Sequence, residues 1–245
     1  MAAGTRLCAT LLLAGALSGC ATTGGNPADP LEPLNRAIFS FNDTVDDVLI
    51  RPVAKGYRAA LPGVVRTGIS NFFSNLQDVW VCVNNLLQGK FGEASQDFAR
   101  VVFNSTLGLG GLFDVASEGG FPKHNEDFGQ TLGKWGVGSG PYLVIPIIGP
   151  SSFRDGFGWL VDLQADLVFR IDGVPVHNVL WVTRGINDRA NLLDASSVIE
   201  QAALDKYSFF RDAWLQRRRN LVYDGDPPRE KEESDEDSPA TLEVK

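Results

Sequence analysis

The stretch VRTGISNFFSNLQDVWVCVNNLLQ, Val65 to Gln88, decides the fold class. Ile69, Phe72, Phe73, Leu76, Val79, Trp80, Val83, Leu86 and Leu87 recur at helical spacing and keep one stripe, and Gly89 supplies a C-terminal stop. A second helix is predicted from about Phe91 to Thr106, with Phe91, Ala94, Phe98, Val101 and Val102 on its apolar face. The turn at Lys90-Phe91-Gly92 joins the two as a helical hairpin. Upstream, Asp29-Pro-Leu-Glu-Pro33 is an extended lead-in, because proline disfavours the helical region in the residue before it. Leu34, Ile38, Phe41, Val45 and Val48 then mark an amphipathic helix, with Asn35, Arg36, Asn42, Asp43, Asp46 and Asp47 on its other face. Pro52 ends that helix or bends it. Downstream, Ser152-x-x-Asp155 fits a capping box opening a helix that carries Phe157, Leu160, Val161, Leu163 and Val168. Two more helices are expected, from about His177 to Leu193 and from Ser197 to Val222, the last ending on Arg217-Arg218-Arg219. The fold class is mainly α.

Two segments depart from this pattern. Leu107 to Phe113 and Gly129 to Gly149 are apolar and glycine-rich. In Tyr142-Leu-Val-Ile-Pro-Ile-Ile-Gly149, Pro146 interrupts a strand-like run, and proline is disfavoured in a central strand. The run is therefore an edge strand, a bent hairpin or an irregular apolar segment.

The N-terminus gives an address. Arg6 and the apolar run Leu7 to Leu17 have the form of a secretory signal, too short to span a bilayer. Leu17-Ser18-Gly19-Cys20 resembles a bacterial lipobox, with cleavage between Gly19 and Cys20 and acylation of Cys20. One acyl chain holds a protein only marginally, whereas the three of a bacterial lipoprotein make residence effectively permanent. Ala21 favours export to the outer membrane over retention at the inner one. The eight residues after Cys20 form a polar tether of at most about 26–29 Å, so the folded body stays against the membrane.

Composition narrows the function further. The net charge of −8 is concentrated at the end, where Asp224 to Lys245 carries nine acids against three bases. That run reads as a disordered, solvated tail, and the remainder has no broad basic surface for nucleic acid. Cys8 leaves with the signal and Cys20 is acylated, so Cys82 has no disulfide partner and reads as a small buried hydrophobe. Gly129-Gln-Thr-Leu-Gly133-Lys134 has three residues between its glycines where a P-loop has four, and Trp135 where Ser or Thr would hold Mg²⁺. Without a nucleotide site, any transport is passive. Ser139 lacks the glycines of a nucleophile elbow, with Val137 and Pro141 in their places. His124 and His177 are the two histidines of the chain and read as surface or satisfied polar residues. Asp162 and Asp166 could share a helix face as solvated or channel-facing carboxylates. The expectation is a protein that is not an enzyme, with no cofactor and no metal. No mature segment reaches 18 unbroken apolar residues, so no transmembrane helix is expected. Periodicity alone favours an α-domain whose apolar stripes face its own core. The lipid anchor and amphipathic helices are also compatible with helices lying in the membrane plane.

Several stretches together resemble the VacJ/MlaA lipoproteins. They are Asp29-Pro-Leu-Glu-Pro-Leu-Asn-Arg-Ala-Ile-Phe-Ser-Phe-Asn42, Arg51-Pro-Val-Ala54, Ile69-Ser-Asn-Phe-Phe73 and Phe103 to Ala116. The most specific is Asp127 to Asp155, and Arg189 to Asp194 and Tyr207 to Arg218 complete a match over residues 29–223. The resemblance implies a ring-like assembly of helices in the inner leaflet of the outer membrane, associated with trimeric porins. A central channel would remove misplaced phospholipids from the outer leaflet and pass them to a soluble periplasmic carrier, maintaining lipid asymmetry. The domain layout expected is signal peptide 1–19, lipidated tether 20–28, helical domain 29–223 and acidic tail 224–245. Phe128 to Gly149 is the candidate channel or gate, with Phe128, Gly129, Gly133, Trp135, Gly136, Gly140, Pro141, Tyr142 and Pro146 as its residues and Asn42 in the ring wall. The alternative from another class is a structural porin-associated lipoprotein without a transport role. A membrane-anchored lipid hydrolase would need Ser, His or metal constellations that this sequence does not offer.

Overall fold

The computed structural model describes residues 26–228. The signal segment, Gly19, Cys20, most of the tether and most of the acidic tail lie outside the described residues. Helix α1, Glu32–Val45, passes through a π-helical turn, Asp46–Ile50, into α2, Arg51–Ala60. Proline has no amide hydrogen to give to the carbonyl four residues back, and Pro52 sits in the first turn of α2, just past the widened turn. Leu61 is extended before Pro62. Helices α3, Gly63–Leu87, and α4, Phe91–Thr106, form the predicted hairpin around Gly89. Two short helices follow, α5, Val115–Glu118, and α6, Phe128–Lys134, capped by the side chains of Asp114 and Asp127.

The ambiguous apolar run is a hairpin. Strand β1, Tyr142–Ile145, pairs antiparallel with β2, Gly149–Ser152, in the register Tyr142↔Ser152 to Ile145↔Gly149. Pro146 falls in the turn, where its missing donor costs no ladder bond. Ser152 then caps α7, Phe153–Ala165, as expected: its hydroxyl accepts from the Asp155 amide at 3.2 Å and donates to the Asp155 carboxylate at 2.8 Å. Helix α8 spans Val174–Asn191. The single helix expected from Ser197 to Val222 is instead two, α9, Leu193–Ala202, and α10, Lys206–Val222. Asp205 breaks it, because its side chain accepts from the Ser208 amide and caps α10. Among the described residues no helix is long and apolar enough to cross a membrane.

The packing is inverted relative to the reading from periodicity. On α3 the buried residues are Asn75, Asp78, Asn84 and Asn85 together with Phe73 and Val81, while Val79, Leu86 and Leu87 of the apolar stripe are exposed. Helix α4 buries Asp97, Arg100 and Asn104 and exposes Phe91, Phe98 and Val102. Helix α1 buries Asn35 and exposes Leu34 and Phe41. Eighteen polar or charged residues are buried among the described residues against eleven apolar ones, so the interior is held mainly by polar pairing. One apolar cluster remains, where Tyr142, Val144 and Tyr207 pack with Ile38, Phe39, Trp214 and Leu215 between α1, β1 and α10. Its rings meet edge-on: Tyr142 and Trp214 lie 5.8 Å apart and Phe39 and Tyr207 5.6 Å.

Candidate functional site

Two asparagines of α1 hold the open edge of β1. Asn35 is fully buried; its side-chain amide donates to the Tyr142 carbonyl at 3.1 Å and its oxygen accepts from the Val144 amide at 2.9 Å. Asn42 repeats the arrangement, donating to the Ile145 carbonyl at 3.0 Å and accepting from the Ile147 amide at 2.7 Å. The spacing explains the match. Seven helical residues rise about 10.5 Å, which carries Asn42 past the Tyr142–Val144 pair to the turn, where it brackets Pro146. Asn35 thus takes the place of a neighbouring strand and Asn42 closes the turn. Asp29, also buried, orients Asn35 at 2.8 Å and accepts from the Tyr207 hydroxyl, which ties the extended lead-in to α10. The tip of the hairpin is apolar and exposed at Ile147 and Ile148, and Ile147 has φ of +67°. A β-branched side chain in that region is strained, by about 1–2 kcal/mol.

The other half of the candidate segment is a charged knot. Arg218 of α10 reaches Asp127, the cap of α6, at 2.6 Å and Asp155 of α7 at 2.8 Å, and Arg154 shares Asp155 at 2.9 Å. Burial would raise the Asp127 carboxyl, but Arg218 overcomes this and holds it below the usual range. The helices can approach because α6 and α7 meet at two glycines. A Cβ on Gly158 would lie 2.7 Å from the Gly129 Cα, and a Cβ on Gly133 would lie 2.8 Å from a Val222 methyl. Asp162 closes the knot on the α3 side, accepting from the Trp80 indole at 2.7 Å and the Phe128 amide at 2.9 Å. Burial pushes its carboxyl up to about 6, against the pull of those two hydrogen bonds. The expectation that Asp162 and Asp166 share a solvated helix face is corrected: α7 ends at Ala165, and Asp166 lies beyond it, paired with Arg184 at 2.6 Å.

The predicted residues thus separate into two groups. Gly140, Pro141, Tyr142 and Pro146 belong to the hairpin and its approach, and Asn42 is brought onto it. Phe128, Gly129 and Gly133 belong to the knot. Trp135 joins that end, its ring edge-on to Phe128 at 6.0 Å and its indole donating to the Leu87 carbonyl at 3.0 Å. Gly133 and Gly136 also line a cleft of about 1100 Å³ beside α10, together with Val137, Arg154, Trp214 and Arg218. Cys82 is half-buried, and its thiol donates to the Ala94 carbonyl at 3.3 Å. His124 contacts the buried Asp97 at 2.8 Å, a satisfied polar residue as expected.

The polar seam between α3 and α4 was not singled out by the sequence reading. Arg100 is buried with all five guanidinium donors placed: on Asp78 at 3.3 Å, Ser117 and the Phe121 carbonyl at 2.9 Å, and both oxygens of Asp114 at 3.1 Å. Burial alone would raise Asp114, yet hydrogen bonds from Ser117 and Asn104 and the Arg100 contact bring it down to about 2. Asn85 donates to Asp97 at 2.7 Å, and the Thr131 hydroxyl donates to Asn84 at 2.7 Å. A signal was available in the sequence, since Asn71, Asn75, Asp78 and Asn85 recur at helical spacing just as the apolar residues do.

Comparison with known proteins places these features in context. A family model described as MlaA lipoprotein matches residues 27–221. The chain is 36% identical over 229 residues to the intermembrane phospholipid transport system lipoprotein MlaA of Escherichia coli K12, covering 90% of each. It is 32% identical over 236 residues to the protein of the same name from Haemophilus influenzae, covering 93% of this chain and 94% of that one. A solved chain reported under "Structural basis for maintenance of bacterial outer membrane lipid asymmetry" superposes with a TM-score of 0.70 at 36% identity, over 79% of this chain and 98% of that chain.

Proposed function

This chain belongs to the MlaA lipoprotein family, and we propose that it works as a passive, lipid-embedded conduit whose β1–β2 hairpin and the loop before it form the gate. It is an outer-membrane lipoprotein of an intermembrane phospholipid transport system, and its work maintains lipid asymmetry. The observation that carries the finer reading is the inverted packing, with large apolar side chains exposed around a polar interior. In water such a surface is unfavourable by about 25 cal/mol for each Å² of apolar area, and in a leaflet that cost disappears. The body accordingly sits in the inner leaflet, tied down by Cys20.

A phospholipid leaving the opposite leaflet needs polar partners for its headgroup and apolar contact for its tails. Helices with one face of each kind, closed into a ring, supply both, and no catalytic step is required. The hairpin suits a gate because its edge is held by two side chains and the single Ala28 carbonyl, with no third strand among the described residues, and because Ile147 holds the tip in a strained conformation. Trimeric porins beside the body and a soluble periplasmic carrier below it complete the route on the family resemblance.

A cysteine scan from Phe128 to Gly149 in a Cys82→Ser background tests the gate. Thiols at Ile147, Ile148 and Gly140 are expected to label with a polar reagent and to crosslink to phospholipid. If no position along the segment does either, the gate assignment is wrong. Outer-leaflet phospholipid in a deletion strain, with porin abundance monitored, tests the transport role. Unchanged lipid asymmetry would leave only a porin-scaffolding role.

A further inference from the structure

Helices α2 and α9 enclose a groove of about 550 Å³ away from the hairpin and the charged knot. One wall carries Arg51, Lys55 and Arg58, at spacings of four and three residues, and therefore one cationic stripe along α2. The facing wall carries Asp194, Ser197 and Glu200 of α9. Arg51 is fully engaged: it contacts Asp46 at 3.3 Å, Asp47 at 2.8 Å and Glu200. Arg58 is engaged at one nitrogen, with Nη1 on Asp194 at 2.7 Å, and Lys55 has no acidic partner among the described residues. The groove thus keeps unspent donors on two neighbouring cations, the three N–H bonds of Lys55 and those on Nε and Nη2 of Arg58.

We propose that this groove holds the phosphodiester headgroup of a membrane phospholipid, a lipid retained at the rim of the body and distinct from the one transported. The proposal rests on the reading that the exposed apolar surface lies in lipid. Three features favour a phosphodiester over other anions. The two helices framing the groove expose Val53 and Val198, so acyl chains leaving the groove meet apolar side chains as well as water. Arg51 is matched by Asp46, Asp47 and Glu200, and Arg58 by Asp194, which leaves the charge of Lys55 unmatched, a balance suited to a ligand with one negative charge. A phosphodiester carries one at neutral pH, whereas free inorganic phosphate is partly doubly ionised there and is more strongly repelled by Asp194 and Glu200. Asp194 is mostly exposed and can accept from the ammonium of an ethanolamine headgroup.

The test uses the full-length lipidated protein in vesicles of phosphatidylethanolamine and phosphatidylglycerol. A fraction of the lipid carries a photoreactive group near the headgroup, and labelled peptides are mapped. Label is expected on the 51–60 and 193–200 segments. Lys55→Ala should cut it about fivefold, the effect of one cation at an anionic surface, while Lys55→Arg should retain it. Lys55 is exposed and without an acidic partner, so these variants leave the fold unchanged by circular dichroism. Equal labelling in Lys55→Glu and the parent protein overturns the proposal. Competition by millimolar inorganic phosphate would assign the groove to free anions and overturn the lipid assignment. Weaker porin copurification in Lys55→Glu with unchanged lipid label would assign the groove to an acidic protein partner, overturning it likewise. A second probe with the photoreactive group in the acyl chain separates the two readings. Loss of acyl label at Phe98 and Phe157 refutes embedding, whereas its retention without headgroup label at the groove refutes only the headgroup site.

Discussion

At the scale of single residues, Asn35 and Asn42 carry the same chemistry at different depths, and the difference sets what each substitution does. Asn35→Ala strands the Tyr142 carbonyl and the Val144 amide in a buried place, a loss of about 1–3 kcal/mol for each, and leaves the Asp29 carboxylate to Tyr207 and Arg211. That variant should unfold several degrees earlier and accumulate poorly. Asn42→Ala frees two groups near solvent and should cost about 0.5–1.5 kcal/mol while leaving the body folded. Its effect belongs to the hairpin: a thiol at Ile147 should label faster in Asn42→Ala than in the parent. Equal rates would mean that Asn42 does not hold the tip. Asp162 gives a prediction in pH. Its folded carboxyl titrates near 6, above the ordinary value of 3.8, so the folded state takes up a proton before the unfolded state does. The stability contributed by the protonated form is complete below pH 3.8 and is lost as pH rises through about 6. Asp162→Asn keeps an oxygen for the Trp80 and Phe128 donors and removes the titration. The parent minus variant difference in stability should therefore rise by up to about 2 kcal/mol on going from pH 7 to pH 4.5, read by thermal melts in detergent. A flat difference would place Asp162 in contact with water.

At the scale of elements, the instructive failure is the direction of the apolar stripes. Helices α1, α3 and α4 are legible as helices, and so are the Gly89 stop, the Ser152 cap and the α3–α4 hairpin, because these depend on local spacing and local hydrogen bonds, whereas α2, beyond Pro52, was not read as a helix. Which face turns inward depends on the solvent outside, and periodicity carries no sign for that. Helix α4 shows the ambiguity plainly. Asp97, Arg100 and Asn104 repeat at helical spacing as regularly as Phe91, Phe98 and Val102, and the polar set is the buried one, with Ala94 the one member of the expected apolar face that is buried beside it. The break at Asp205 was missed because an aspartate inside an apolar pattern reads equally as a surface residue or a cap. Of the candidate site, the hairpin and Asn42 were visible as motif residues. The pairing of Asn35 with β1 was not, since it joins residues 107 positions apart. The inversion gives a comparison of two substitutions on one helix. Arg100→Met leaves the Asp78 and Asp114 carboxylates without their shared partner and should destabilise by about 3–5 kcal/mol. Phe98→Ser, on the exposed face, should change stability in detergent by less than about 1 kcal/mol. In a water-facing α-domain the phenylalanine would be the costlier loss, so chemical denaturation of the two variants side by side separates the architectures.

At the scale of the molecule, anchor and body make separate claims on the membrane, and they can be weighed. An acyl chain contributes about 0.8 kcal/mol for each buried methylene, and one chain alone gives marginal binding. The body exposes phenylalanines at positions 41, 91, 98, 153 and 157, with leucines and valines between them. A fully buried side chain of this kind contributes about 1.5–3 kcal/mol relative to an exposed one, so even partial insertion of these five rivals one acyl chain. On the proposed reading the tether can be short, because a body that lies in the leaflet needs no reach. Residues 21–245, exported behind a cleavable signal without Cys20, should therefore remain with the outer-membrane fraction, resist carbonate extraction and enter solution only with detergent. The same form carrying Phe91→Ser, Phe98→Ser and Phe157→Ser should shift toward the soluble fraction while keeping its helical circular dichroism, because the polar seam that folds it is untouched. A Cys20-free body that is soluble and monomeric in buffer would mean that this apolar surface does not meet lipid. The conduit would then have to be sought on a protein partner's face.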